Sequence, residues 1–119
     1  MLTLIAEDDE GLRLLLAEFF EGLGHTVKSA ENGVELVKLA LSDRPDLIVT
    51  DLHMPQMTGD SMIAMVDMYP DLSGIPVLVI TGATEGELAD MGIPKEIPVL
   101  AKPFDFVKIA VEVEKLSKK

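Results

Sequence analysis

The chain has 119 residues, 48% hydrophobic and 26% charged, enough for one packed core and too few for two. It has no cysteine, which removes disulfide frameworks, thiolate metal sites and thiol nucleophiles together. With 21 acidic against 10 basic residues, the net charge of −11 speaks against nucleic-acid binding by this domain alone; Lys108, Lys115, Lys118 and Lys119 suit the negative end of a final helix rather than a phosphate backbone.

Residues 3–6 form a short apolar run that stops at the acidic group Glu7, Asp8, Asp9 and Glu10. Leu12, Leu15, Leu16, Phe19 and Leu23 then recur at helical spacing, the first four assigned mainly to the core, and Gly22 and Gly24 mark the stop. Residues 25–30 read as a modest strand. Asn32 and Gly33 turn the chain into a second helix, with Val34, Val37, Leu39 or Ala40, and Leu41 on its apolar face and Pro45 ending it. Residues 46–50 have the pattern of a buried strand. A loop with Pro55 and Gly59 leads to a methionine-rich helix over 60–68, closed by Tyr69 and Pro70; Met54, Met57, Met62, Met65 and Met68 are assigned to core and loop packing. Residues 76–81 are the strongest strand. Gly82, Gly86, Gly92 and Pro94 leave room for a short, weak helix at most. Residues 97–101 make the last strand, and the chain then enters a final helix with Asp105 as N-cap and Val107, Ala110, Val111 and Leu116 inward. Apolar strands alternating with helices imply a five-stranded, doubly wound α/β domain over 1–119, with a parallel sheet covered on both faces. No apolar run is long enough to span a membrane and no secretory leader is present, so the expected address is cytoplasmic.

Functional groups of an open parallel sheet gather at the carboxyl ends of its strands. Here the first strand ends in Glu7, Asp8 and Asp9, the third in Asp51, the fourth in Thr81 and Gly82, and the fifth in Lys102 and Pro103. Taken singly these have bland readings: helix N-terminal charges, a loop cap, a strand terminus, a surface lysine. Together they form a chemical set. Converging carboxylates repel unless a cation intervenes, and a hard dication with oxygen ligands answers that need. A lysine and a threonine hydroxyl suit phosphate oxygens, and phosphoryl transfer asks mainly for positioning and charge stabilisation. Asp51 would be the nucleophile.

Glu7 and Asp8, Asp51 with Met54, Pro55 and Gly59, Thr81, and Lys102, Pro103 and Phe104 stand in the order and at the separations of response-regulator receiver domains, which the whole chain resembles. The resemblance implies a flavodoxin-like sheet of order 2-1-3-4-5. It implies phosphorylation of Asp51 with Mg2+ or Mn2+ held by Asp8, by Glu7 through water, by Asp51 and by the backbone carbonyl of His53. Thr81 and Gly82 would bind and sense the phosphoryl group, Lys102 would pair with it, and Pro103 would follow a cis bond that aims the lysine inward. By the same resemblance His53, Ala83 and Val99 would be tuning positions.

Many receivers carry Tyr or Phe three residues before the lysine, where this chain has Val99. That departure, with the glycine-rich segment after Thr81, resembles stand-alone receivers or those fused to hybrid histidine kinases. It also implies that phosphorylation orders residues 82–94 rather than flipping an aromatic ring. The implied partners are a histidine kinase or histidine phosphotransfer protein docking on the first helix, and a downstream effector protein. No membrane partner is implied, and the chain would be a monomer or weak homodimer. A magnesium-dependent phosphatase is the competing enzyme reading, but such enzymes carry Asp-x-Asp after the first strand and a cap domain. A phosphorylation-independent scaffold is the third reading, against which the complete acid, threonine and lysine set speaks.

Overall fold

In the computed structural model, which describes residues 1–117, strands and helices alternate: β1 (Leu2–Ala6), α1 (Glu10–Gly22), β2 (Thr26–Ala30), α2 (Gly33–Ser42), β3 (Leu47–Thr50), α3 (Gly59–Met68), β4 (Val77–Thr81), α4 (Glu85–Met91), β5 (Val99–Ala101) and α5 (Phe106–Ser117). A single 3-10 turn, Pro70–Leu72, joins α3 to β4. All paired strands are parallel, in the order β2-β1-β3-β4-β5, as expected. Of the C-terminal lysine group, Lys118 and Lys119 lie outside the described residues.

Successive strand residues point to opposite faces of a sheet, and the core divides accordingly. Leu4, Ala6, Ile48, Val77 and Val79 pack on one face with Leu36, Val37 and Ala40 of α2 and Met62 and Val66 of α3. Ile5, Leu47, Val49, Leu78 and Ile80 pack on the other with Leu16 and Phe20 of α1 and Ile109 and Val113 of α5. Helix starts follow local chemistry: Asp9 accepts the Leu12 N–H at 3.1 Å and Asn32 the Glu35 N–H at 2.9 Å.

Several assignments of helix face change. On α1 the buried residues are Leu16 and Phe20, whereas Leu15 is 52% exposed and Leu23 46%. On α2 Leu36 is fully buried and Leu41 faces out. On α5 the inward stripe is Ile109, Val113 and the half-buried Leu116; Val107 and Val111, expected inside, are 68% and 45% exposed. These helices are apolar on more than one side, so spacing offers several stripes and only packing selects one. Met54 and Met62 are core, but Met68 is 81% exposed at the last turn of α3.

β5 is shorter than residues 97–101. Ile97 N–H donates to Pro94 O in a turn, and Pro98 has no N–H, so regular pairing starts at Val99. The segment after β4 does hold a short helix, seven residues with none buried. A capping box of Thr84 and Glu87 starts it, and Gly92, at a left-handed φ of 68°, ends it. Leu88 and Met91 are its links to the core.

Candidate functional site

Strand register builds the site. Ala6 of β1 lies opposite Thr50 of β3, so the next residues, Glu7 and Asp51, leave the sheet side by side. Asp51 N–H donates to Ala6 O at 3.1 Å, extending that pairing by one step. Thr81 of β4 lies opposite Ala101 of β5, and Lys102 N–H donates to Thr81 O at 2.9 Å, which brings the lysine in from the other side.

Lys102 Nζ lies 2.7 Å from Glu7 Oε1 and 2.8 Å from Asp51 Oδ2. Both carboxylates are nearly sealed, Glu7 at 2% and Asp51 at 7% exposure. Asp51 Oδ1 accepts the Leu52 N–H at 2.6 Å and, more weakly, the His53 N–H at 3.4 Å. Glu7 Oε2 accepts the Asp9 N–H at 3.2 Å. One oxygen each from Glu7, Asp8 and Asp51 lies within 4.8 Å of the others, and Asp8 is the exposed member. Three carboxylates at that spacing fit a hard divalent cation. Thr81 is fully buried, and its Oγ1 accepts the Ala83 N–H at 3.2 Å.

The electrostatics separate the two acids. Burial raises the Glu7 pKa, and a hydrogen bond shared with Asp8 adds to the rise against the opposing pull of Lys102. Burial also pushes Asp51 up, but hydrogen bonds from Lys102 and Thr81, the lysine charge and the Leu52 N–H outweigh it, so Asp51 ends below its ordinary range. Lys102 is pulled down by burial and pushed up more strongly by Asp51 and Glu7, so it stays an ammonium.

The structure therefore brings Glu7, Asp8, Asp51, Thr81 and Lys102 together. Gly82 is an exposed residue beyond β4, Pro103 follows a cis bond to Lys102, and Val99 is half-buried opposite Val79. Gly59 matters for space: a Cβ there would collide with the Asp51 backbone carbonyl. Two contributors escaped the sequence reading. Arg13 Nη1 donates to the Glu7 carbonyl at 2.8 Å, bracing the end of β1. Glu87 places Oε2 3.3 Å from His53 Nε2. The Thr84-x-x-Glu87 spacing is a readable capping signal, but nothing in the sequence says what the second carboxylate oxygen faces.

The sequence pattern of the response regulator receiver domain family matches residues 3–114. The sporulation initiation phosphotransferase F of Bacillus subtilis is 33% identical over 115 residues, covering 94% of this chain and 90% of that protein. A signal receiver domain of a signal transduction histidine kinase from Syntrophus aciditrophicus superposes with a TM-score of 0.88 at 29% identity, covering 97% of this chain and 88% of that one. The receiver domain of the sensor histidine kinase PA1611 from Pseudomonas aeruginosa, solved with magnesium in its active-site cleft, has the same fold at a TM-score of 0.90 and 19% identity, with 99% and 98% covered.

Proposed function

The chain belongs to the response regulator receiver domain family, and from that premise we propose that Asp51 is the residue that takes the phosphoryl group from a phosphohistidine. A phosphoacceptor role in phosphorelay signalling comes with the family. The donor in this reading is a histidine kinase or a histidine phosphotransfer protein, in the cytoplasm. The reaction is the domain's own phosphorylation and hydrolysis, not turnover of a separate metabolite. Among the described residues no helix is long and apolar enough to cross a membrane.

The observation that carries the assignment is the meeting of Lys102 with Asp51 and Glu7 inside a three-carboxylate group at adjacent strand ends. Glu7, Asp8 and Asp51 would hold magnesium or manganese, with the His53 carbonyl two residues beyond Asp51 as a further oxygen; the bound ion would offset the charge that three carboxylates and a phosphoryl group bring together. Asp51 stays a carboxylate, the form whose oxygen can attack phosphorus. An Asp51 oxygen bonds to phosphorus, the P–N bond of the phosphohistidine breaks, and its electron pair returns to the imidazole nitrogen. Lys102, already on Asp51, exchanges a carboxylate partner for a phosphoryl oxygen, and the Thr81 hydroxyl donates to another.

Incubation with acetyl phosphate and magnesium, read by intact mass, tests the assignment. The wild-type protein is expected to gain one phosphoryl mass that disappears without magnesium and is absent from Asp51→Asn. A wild type that neither gains that mass nor binds beryllofluoride refutes it.

A further inference from the structure

Phosphoacceptor chemistry does not itself require the link between the loop after Asp51 and the head of α4. His53 leaves the end of β3, and Glu87 lies in the first turn of the helix that follows β4, the strand paired with β3. His53 Nε2 lies 3.3 Å from Glu87 Oε2, with both side chains about half exposed at 52% and 46%.

Glu87 is fixed from behind. Its Oε1 accepts the Thr84 N–H at 3.2 Å and the Thr84 hydroxyl at 3.3 Å, and its own N–H donates to Thr84 Oγ1 at 3.2 Å. With one oxygen held by the cap, the other is aimed, and the group it meets is the imidazole. The contacts link the loops after β3 and β4 beside the acceptor. His53 N–H faces Asp51 Oδ1 at 3.4 Å, and Ala83, next to the cap, donates to Thr81 Oγ1 at 3.2 Å beside Asp51.

We infer that Glu87 is a positioning residue: it holds the His53 ring across the gap between the loops after β3 and β4, screens the Asp51 acyl phosphate from water and lengthens its lifetime. This rests on Asp51 being the phosphoacceptor. In hydrolysis a water oxygen bonds to phosphorus, the bond from phosphorus to the Asp51 oxygen breaks, the carboxylate is restored, and inorganic phosphate leaves with the water protons. That attack needs an open, aligned approach, which a ring held at Nε2 by Glu87 narrows and a free ring does not.

The test follows loss of the phosphoryl mass after acetyl phosphate is removed from wild type, His53→Ala, Glu87→Ala, the double variant, Glu87→Gln and Thr84→Ala. His53→Ala and Glu87→Ala are each expected to shorten the half-life by about threefold or more, with the double variant no shorter-lived than either, as for residues acting through one contact. Glu87→Gln, which keeps an oxygen at the same reach, restores most of the lifetime. Thr84→Ala, which removes the hydroxyl that holds Oε1 but keeps the carboxylate, is expected to shorten the half-life less than Glu87→Ala does. The His53 ring nitrogen resonances shift in Glu87→Ala and by a smaller amount in Thr84→Ala. Additive effects of the two alanines, or an unchanged or longer half-life in Glu87→Ala, overturn the inference alone. A wild type that takes no phosphoryl group and binds no beryllofluoride overturns it together with the assignment of Asp51.

Discussion

Lys102 lets Glu7 and Asp51 share a buried corner, where two unpaired carboxylates would repel at short range. Lys102→Met removes the shared cation and is expected to cost about 1–3 kcal/mol, below the range of about 3–5 kcal/mol for breaking a fully buried pair, because the lysine keeps some solvent contact. Denaturant midpoints measure this, and added magnesium should recover more stability in the variant than in wild type. The acid limb has a defined sign. The Asp51 pKa is lowered on folding, so its pairing contributes above the ordinary value of 3.8 and is lost as pH falls through the folded value. Glu7 opposes it: its pKa is raised above 4.5, so its ionised form costs stability and protonation removes that cost. In Asp51→Asn the loss of stability below pH 3.8 is expected to be shallower than in wild type, as followed by denaturant midpoints against pH. The types and order of these residues were legible in the sequence. The lysine's double partnership and the opposite pKa shifts of the two acids were not, since they depend on which side chains burial forces together.

At the scale of elements, helix and strand order was readable from periodicity, and helix phase was not. In α5 both the Val107–Val111 pair and the Ile109–Val113 pair satisfy helical spacing, but only the second meets Leu78 and Ile80. Ile109→Ala is therefore expected to cost about 2–4 kcal/mol and Val111→Ala less than about 0.5 kcal/mol, measured by chemical denaturation. Gly59→Ala is expected to destabilise by about 2 kcal/mol or more despite the mildness of the change, because its Cβ meets backbone rather than a side chain that can turn away. α4 is the element least committed to the core: seven residues, none buried, held at its start by a surface cap and the His53 contact. Such a segment opens with little loss of buried area. Amide exchange across residues 82–94 is expected to slow when beryllofluoride and magnesium are added, and exchange that does not change would remove this segment from the switch.

For the whole molecule, the decisive feature is that four strand ends converge on one edge of the sheet. Three of them come from β1, β3 and β4, of which β1 and β3 are neighbours in the sheet but not consecutive in the chain, and a lysine 95 residues from Glu7 closes the cluster. Parallel strands with helical crossovers all finish on the same side, so a residue one step past each strand is delivered to a common rim.

Read alone, the sequence determined the alternation of strands and helices, the residue types at the strand ends and the family resemblance. These are local in origin: runs of apolar residues, glycine and proline punctuation, and motifs whose spacing survives in one dimension. The tertiary structure decided which face of each helix is buried, where β5 begins, how Lys102 divides itself between two acids, and that Glu87 reaches His53. Those outcomes turn on packing and electrostatic competition between groups far apart in the chain, where several local solutions are nearly equal until the neighbouring element is in place.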